Sequence, residues 1–145
     1  MKARLAVRHA RTESDLRRCF PALAELRPHV RETEFVGRIR RQQAAGYHLV
    51  FLAPPRQPAV TVAGYRVLEC LMWGRFLYVD DLVTQSRQQS RGWGQQMFQW
   101  LIREARRLKC TELHLDSGVH RFAAHRFYLG QRLDITCHHF AMKLA

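Results

Sequence analysis

Residues 77–98 read LYVDDLVTQSRQQSRGWGQQMF and join a strand-like run to a helical pattern through two glycines. Gly92 and Gly94 stand where the helix begins, although a glycine inside a helix costs about 1 kcal/mol relative to alanine. A pair of glycines at this place therefore needs a structural reason. The succession of strand, turn and helix is the central unit of an element order that predicts a mixed α/β fold.

The glycine turn has two interpretations. Helix N-termini carry unpaired backbone N–H groups and a partial positive charge, so they bind anions. Glycine lets this backbone approach a phosphate closely, and Arg87 and Arg91 add positive charge. The chain has no P-loop motif, and Met97 stands where the dinucleotide fingerprint GxGxxG needs its third glycine. Spacing alone leaves a pyrophosphate-binding turn and a ligand-free turn equally open.

The rest of the chain alternates between strand-like and helical patterns. Apolar alternation predicts strands over residues 3–10, 47–53, 59–73, 76–84, 111–117 and 134–144. Helical spacing predicts a helix after Thr12, which Pro21 bends or divides, and further helices over 34–45, 97–109 and 120–129. The order β-α-α-β-β-β-α-β-α-β predicts a mixed, mostly antiparallel central sheet flanked by helices.

Length and composition fit one domain over residues 1–145, with 47% hydrophobic and 25% charged residues. The longest apolar run is far short of the roughly 20 residues that span a bilayer. The N-terminal segment is too charged for a signal peptide, so we expect a cytoplasmic protein without a membrane partner. The net charge of +12 permits a nucleic-acid partner, a polyanionic ligand or a solvated basic surface.

The four cysteines are scattered and form no CxxC pair, so we expect them to be reduced and mostly buried. His138 and His139 follow Cys137, but no second cluster has zinc spacing, and we expect no metal site. The segment LDSGVHR contains Asp116, Ser117 and His120 without a GxSxG elbow, which argues against a hydrolase. We expect Ser117 to cap the helix that follows.

Residues 76–130 resemble the cofactor-binding region of the GNAT N-acetyltransferase superfamily. Gln89, Gly92 and Gly94 match the family signature Gln/Arg-x-x-Gly-x-Gly/Ala after the fourth strand. In the later segment AAHRFYL, Ala124 and Tyr128 fall in the register of the family's second motif. Strand, loop, long helix, strand and tyrosine-bearing helix occur in the family's order, which makes the resemblance more specific than the loop alone.

The resemblance implies acetyl-CoA as the acyl donor, although a longer acyl group is not excluded. Its diphosphate is expected on the backbone of the turn, and its pantetheine arm beside the end of the preceding strand. The implied cofactor-binding residues are Leu82, Val83, Thr84, Gln89, Ser90, Arg91, Gly92, Trp93, Gly94 and Gln95. Arg121 occupies a place where the family often has Asn, and it is expected to reach a cofactor phosphate or to be a surface charge. The family's Gly-Phe after the tyrosine helix is absent, with Arg132 and Leu133 near that point.

The resemblance also implies catalytic roles. Tyr128 is expected to protonate the leaving CoA sulfur, and Asp80 is the first choice for the base that accepts the amine proton. Asp81, Glu69 and a water molecule remain alternatives for the base. Adjacent strand residues face opposite sides of a sheet, so we expect only one of Asp80 and Asp81 to reach the acceptor.

The leading hypothesis is an acetyl-CoA-dependent N-acetyltransferase that transfers the acetyl group to a primary amine by direct attack. The alternatives are a GNAT-like protein that binds acyl-CoA without catalysis and a basic nucleic-acid-binding module, the latter suggested by the charge and by Trp93 and Trp100. We favour no nucleic-acid partner, and a homodimer is left open. The basic composition favours an acceptor with a carboxylate or phosphonate over a polyamine, while protein amines remain open.

Overall fold

The computed structural model describes residues 4–145, which form two compact units, one ending at His114 and one formed by Leu115–Ala145. The strands are β1 (Arg8–His9), β2 (His48–Leu52), β3 (Thr61–Cys70), β4 (Gly74–Thr84) and β5 (Glu112–Leu115). The helices are α1 (Glu13–Leu26), α2 (Glu32–Ala44), α3 (Trp93–Arg107) and α4 (Phe122–Gly130), with a short 3-10 turn at Ser86–Gln88.

The sheet has five strands in the order β1-β2-β3-β4-β5. The pairs β1–β2, β2–β3 and β3–β4 are antiparallel, so the predicted antiparallel meander is confirmed. The predicted mixed α/β class is confirmed as well. Within the described residues the first strand is shorter than predicted: it covers Arg8 and His9, opposite Phe51 and Val50, and the Ala10 amide donates to the Leu49 carbonyl at 2.8 Å. Residue 3 of the predicted strand lies outside the described residues.

Helix α1 begins after Thr12, as the sequence predicts, and its start is a capping box. The Thr12 hydroxyl accepts a hydrogen bond from the Asp15 amide at 3.1 Å, and the Asp15 carboxylate accepts one from the Thr12 amide at 3.3 Å. Of the predicted bend or division at Pro21, the division is wrong, because α1 is continuous from Glu13 to Leu26. Proline removes one backbone hydrogen bond, and burial of the apolar side of the helix, at Leu16 and Leu23, holds the remaining turns in place.

Helix α3 contributes the other large apolar surface of the first unit. Met97, Phe98 and Leu101 are fully buried along one side of this helix, as its periodicity predicts. Helix α2 ends before Gly46, whose φ of +94° confirms the predicted stop.

The second unit differs from the prediction in two ways. Helix α4 begins after Arg121, which makes the start of this helix too distant for Ser117 to cap it, so the predicted cap is wrong. The predicted closing strand over residues 134–144 is also wrong, since these residues have no regular secondary structure. Their apolar side chains are exposed, Phe140 at 91% and Leu144 at 92%. A strand needs a partner as well as an alternating pattern, and sequence alternation does not supply that partner.

All four cysteines are free thiols, but only Cys19 is buried, so the expected burial of most of them is wrong. Burial raises the pKa of the Cys19 thiol far above its usual value. Among residues 4–145 no helix has the length and hydrophobicity required to cross a lipid bilayer.

Candidate active site

A cavity of about 330 Å³ lies in the first unit beside the second half of β4. Helices α1 and α2 form its apolar side, and β4 contributes two carboxylates. The lining residues are Phe20, Leu23, Ala24, Arg27, His29, Val30, Phe35, Arg38, Ile39, Gln42, Tyr47, Tyr78, Asp80 and Asp81. We call this space the acceptor cavity.

A β-bulge brings both carboxylates into the acceptor cavity. Asp81 lies opposite Gly64 of β3, and Val79 lies opposite Tyr65, so Asp80 is an extra residue without a partner in the ladder. A bulge places two consecutive residues against one and changes the direction of their side chains. Both aspartates therefore line the cavity, and the expectation that only one of them reaches the acceptor stays a prediction.

Asp80 has one carboxylate oxygen without a partner. Arg66 donates its Nε–H to Asp80 Oδ2 at 2.9 Å. Asp80 Oδ1 is buried and has no hydrogen-bond partner within the described part of the chain. Burial raises the pKa of Asp80, while the hydrogen bond and charge of Arg66 oppose that rise. Asp80 thus lines the cavity and has one carboxylate oxygen without a partner within the described residues.

Asp81 has partners on both oxygens. Arg27 donates its Nε–H to Oδ1 at 2.9 Å, and the Tyr47 hydroxyl donates to Oδ2 at 2.8 Å. Gly64 makes this contact possible, because a Cβ at Gly64 would overlap the Tyr47 ring. Burial and the charge of Asp81 raise the pKa of the Tyr47 hydroxyl well above its usual value, so this proton stays in place. Asp81 therefore organises the wall of the cavity.

Glu69 does not belong to this site. It pairs with Arg75 near the β3–β4 turn, whereas Asp81 pairs with Gly64, five residues back along β3. At about 3.3 Å per residue, the separation is roughly 16 Å. Glu69 is also exposed and does not line the acceptor cavity. The structure thus excludes Glu69 as a base for an amine bound in this cavity.

The glycine turn presents backbone N–H groups at the start of α3. Ser90 and Gly92 have positive φ values of +59° and +84°, and Gly92 is the N-cap residue. Left-handed residues in a turn direct successive N–H groups toward one side and form anion-binding concavities. No side chain caps this helix, and the Gln96 amide donates to the Gly92 carbonyl at 3.0 Å. The amides of Trp93, Gly94 and Gln95 precede that bond.

Two residues near the turn change the set of N–H groups that a ligand could meet there. The Gln89 amide donates to the Ser86 carbonyl at 3.3 Å, so this predicted phosphate ligand is already engaged. The indole Nε1–H of Trp93 is buried and lacks a hydrogen-bond partner among residues 4–145. An unpaired buried donor beside a helix N-terminus suits an anionic ligand. Arg91 is exposed at the same turn and adds positive charge.

A second cavity, of about 340 Å³, opens beside the N-terminal turns of α3. It is lined by Arg4, Gly92, Gln95, Gln96, Gln99 and Arg103. The side-chain amide of Gln96 donates to the Leu5 carbonyl and joins the N-terminal segment to α3. The polar lining and the two arginines give this space the character of an anion-binding region.

The end of β4 provides a free backbone edge. Residues Leu82–Thr84 pair with β3 on one side, opposite Ala63, Val62 and Thr61. On the other side β5 has four residues, and the Thr111 amide just before it donates to the Arg75 carbonyl at 2.9 Å. From that register β5 ends before it reaches Leu82. The Thr84 carbonyl accepts the Gln89 side-chain amide at 3.4 Å, which leaves Leu82 and Val83, beyond the end of β5, as the predicted places for strand-like pairing with an extended ligand.

Tyr128 and Arg121 belong to the second unit. Tyr128 is half-buried on α4, where its ring contacts Phe127 with centroids 5.6 Å apart. Burial raises the pKa of Tyr128, and the charge of Arg121 opposes the rise. Arg121 is the exposed N-cap residue of α4. Their predicted roles toward the acyl donor stay predictions.

Sequence reasoning missed the residues that set the state of the two aspartates. Arg66 and Arg27 are single arginines among the 24 basic residues, and no local spacing connects them with Asp80 and Asp81. Tyr47 is separated from Asp81 by 34 positions. The glycine in the otherwise β-branched and aromatic run TVAGYRV is a usable signal, because glycine inside a strand often marks a bulge or a close approach.

This protein was compared with protein families, curated sequences and solved structures. A family model described as Acetyltransferase (GNAT) family matches residues 9–132. A comparison with curated protein sequences gave no significant match.

Solved structures share the fold over nearly the whole chain. A protein described as a transcriptional regulator from Bacillus halodurans C-125 is 21% identical, with a TM-score of 0.84, covering 97% of this chain and 100% of that one. Glucosamine-6-phosphate N-acetyltransferase from Arabidopsis thaliana is 14% identical, with a TM-score of 0.78 and coverage of 99% and 100%. AAC(6')-Iy, solved with the bisubstrate analogue CoA-S-monomethyl-acetylneamine, is 10% identical, with a TM-score of 0.81 and 99% coverage of both chains. Because the family model spans most of the sequence, the chain belongs to the GNAT family of acetyltransferases.

Proposed function

We propose that this protein is an acetyl-CoA-dependent N-acetyltransferase that acetylates a primary amine held in the acceptor cavity. The observation that carries the proposal is Asp80 Oδ1, a buried carboxylate oxygen with no partner within the described residues, at a cavity where Asp81 is fully paired. A proton acceptor in this state suits the amine nitrogen of an acceptor. Family membership supports acyl transfer as the reaction.

The acyl donor is assigned to the glycine turn and the end of β4. The amides of Trp93, Gly94 and Gln95 and the unpaired Trp93 indole N–H would hold the diphosphate. The outer backbone edge of Leu82 and Val83 would pair with the pantetheine arm. When bound there, acetyl-CoA supplies an activated acetyl group as a thioester.

Asp80 and Tyr128 are proposed to handle the protons. Asp80 Oδ1 accepts a proton from the substrate ammonium, which leaves a neutral amine whose nitrogen forms the new C–N bond as the C–S bond breaks. Asp80 then accepts the second proton that the nitrogen loses, after passing the first to solvent. Tyr128 donates its phenolic proton to the sulfur, and burial supports this role by raising the pKa of Tyr128 and keeping the phenol protonated near neutral pH.

Titration calorimetry with acetyl-CoA tests the donor site, and release of free CoA with a mixed panel of primary amines tests the reaction. We expect saturable binding and amine-dependent release of CoA. Binding without release in any amine would favour a non-catalytic acyl-CoA-binding protein. Absence of binding at high micromolar acetyl-CoA would contradict the proposal at its first step.

A further inference from the structure

The arginines that line the acceptor cavity are engaged by carboxylates, although the chain has a net charge of +12. Arg27 is paired with Asp81 at 2.9 Å. Arg38 is paired with Glu34 at 3.2 Å, and Arg31 contacts the same carboxylate at 3.1 Å, so this cluster keeps one positive charge. An acceptor that carries a carboxylate or phosphonate, which the composition favours, would have to compete with Asp81 and Glu34 for these guanidinium groups.

A third arginine beside the cavity is paired as well. Arg66 donates its Nε–H to Asp80 Oδ2 at 2.9 Å and its second N–H group to the Gln42 side chain at 2.9 Å. Its guanidinium also lies over the Tyr47 ring, 5.2 Å from the centroid. Arg66 is thus committed to shaping the carboxylate and the aromatic wall, and recognition of an acceptor anion would require breaking these contacts.

Most of the cavity side formed by α1 and α2 is aliphatic and aromatic, and its polar residues are Arg27, His29, Arg38 and Gln42. Phe20 and Phe35 meet edge to face with ring centroids 5.1 Å apart. Further apolar or aromatic lining comes from Leu23, Ala24, Val30, Ile39, Tyr47 and Tyr78. A ligand rich in hydroxyl groups would lose hydrogen bonds to water against this wall without replacing them. An apolar body would gain from burial there.

The size of the cavity limits that body. A volume of about 330 Å³ is at the lower end of small-molecule cavities, which start near roughly 300 Å³. One ring with a short chain fits this space, whereas several linked sugar rings do not. A single hydrogen-bond donor is required, because Asp80 Oδ1 is the unpaired oxygen of the two aspartates.

We infer that the acceptor is a small primary amine with one apolar or aromatic body, whose nitrogen meets Asp80 and whose body packs between α1 and α2. This inference rests on the proposed function and gives its acceptor a chemical class. The specificity-determining residues are Phe20 and Ala24 of α1, with Val30 of the α1–α2 connection. Polyamines, amino sugars and amino phosphonates are poor acceptors for the same physical reasons.

The inference is tested by kcat/KM for CoA release at saturating acetyl-CoA with four amines: phenethylamine, glucosamine, spermidine and 3-aminopropylphosphonate. We expect phenethylamine to exceed each of the others by roughly tenfold or more, the scale of a buried apolar contact. Equal or better turnover of a polar amine would overturn the inference and leave the proposed function intact. Absence of release with all four amines, while acetyl-CoA binds, would overturn both.

Two variants test the assigned wall by opposite changes. Phe20→Ala removes a ring from the wall, and Ala24→Phe fills the space, so both are expected to lower kcat/KM for phenethylamine by roughly tenfold. Ethylamine has no large apolar group to contact this wall, so its kcat/KM should change less than about twofold. Calorimetry should show weaker phenethylamine binding and unchanged acetyl-CoA binding in both. Two folded variants that keep wild-type phenethylamine binding and turnover would overturn the inference.

Discussion

The acceptor cavity and the glycine turn lie next to each other along the chain, but they are built from different parts of the polypeptide. The cavity depends on side chains: Asp80 and Asp81 of β4, and their partners Arg66 of β3, Arg27 just after α1 and Tyr47 just before β2. The turn depends on main-chain N–H groups and on the left-handed backbone of Gly92. The difference teaches that donor binding is a local property of the chain, whereas acceptor binding is a long-range one.

The two aspartates show this contrast within two residues. Asp80 is the extra residue of the bulge and keeps one oxygen unpaired, while its neighbour Asp81 has both oxygens bonded. Their identical side chains therefore have different chemistry. The cause is the register of β3 and β4, together with the arginine that each carboxylate meets.

The largest expected effect is a loss of activity in a cavity variant that keeps its affinity for acetyl-CoA. Asp80→Asn removes the proton acceptor, and we expect kcat/KM to fall by about 10²–10⁴-fold, the usual contribution of a general base. The acetyl-CoA dissociation constant should stay within about twofold, because the donor is assigned to the turn. Steady-state CoA release and calorimetry measure the two quantities. Full activity in this variant would remove Asp80 from the mechanism.

Loss of the proposed general acid, Tyr128, is expected to give the next largest effect. Tyr128→Phe should lower kcat by roughly 10²-fold while changing acetyl-CoA affinity little, because the phenol acts only as the sulfur leaves. Single-turnover CoA release gives the rate, and calorimetry gives the affinity. The matched control is Tyr78→Phe, which removes a phenol from the acceptor side and should not reproduce a loss of the chemical step with small test amines. A fully active Tyr128→Phe protein would show that this assignment is wrong.

The glycine turn has a matched control at the β3–β4 turn. Gly92 and Gly74 have φ values of +84° and +65°, and an added Cβ would meet no neighbour at either position. Alanine at each should cost about 1–2 kcal/mol of stability from backbone strain alone. Only Gly92→Ala should also weaken acetyl-CoA, by about tenfold, because it shifts the helix N-terminus. Equal acetyl-CoA affinity in both variants would contradict the assignment of the turn.

The smallest expected effects are in stability, and they differ between the two aspartates. Asp81→Asn disturbs the Arg27 and Tyr47 bonds and should lower the free energy of unfolding by about 1–3 kcal/mol. Burial raises the pKa of folded Asp80, so its ionised form is less favourable in the folded state than in the unfolded chain. Asp80→Asn should therefore leave the free energy of unfolding at pH 7 unchanged or slightly higher, by less than about 1 kcal/mol after solvent screening.

The pH dependence of the free energy of unfolding shows whether ionised Asp80 stabilises or destabilises the fold. A raised folded pKa contributes stability below the ordinary aspartate pKa and loses it as the pH rises through the folded value. The stability difference between Asp80→Asn and wild type should thus shrink as the pH falls through the raised folded pKa of Asp80 toward the ordinary aspartate value of about 4. Urea unfolding at pH 7 and in mild acid measures it. If Asp80→Asn instead gains stability relative to wild type as the pH falls, the fold stabilises the ionised form of Asp80.

Much of the fold could be predicted because it is encoded in local patterns. The Thr12 cap, the stop at Gly46 and the apolar side of α3 each follow from residues within one or two helical turns. The closing strand over residues 134–144 could not be predicted correctly in this way. Its alternation is real, but Ile135 and Met142 remain 74% and 83% exposed because no strand of the described residues pairs with them.

The candidate site also has a part that local sequence patterns predict and a part that they do not. Gly92 and Gly94 mark the turn in sequence, since a left-handed N-cap and a close helix start both favour glycine. Nothing near Asp80 indicates that it sits on a bulge, and the period-two rule predicts the wrong side for one of the aspartates. Arg66 and Tyr47 meet β4 from 14 and 34 positions away, so their contribution is invisible to local spacing.

The sequence by itself determined the order of elements through β5, the helix start that offers backbone N–H groups, and the family signature around it. These depend on backbone propensity, capping and periodicity, which act over a few residues. The tertiary structure alone decided which carboxylate keeps an unpaired oxygen, that the arginines around the acceptor cavity contact carboxylates, and that most of its α1–α2 side is apolar. Pairing and burial of charges depend on groups that are distant in sequence, and only the folded chain brings them within a few ångströms.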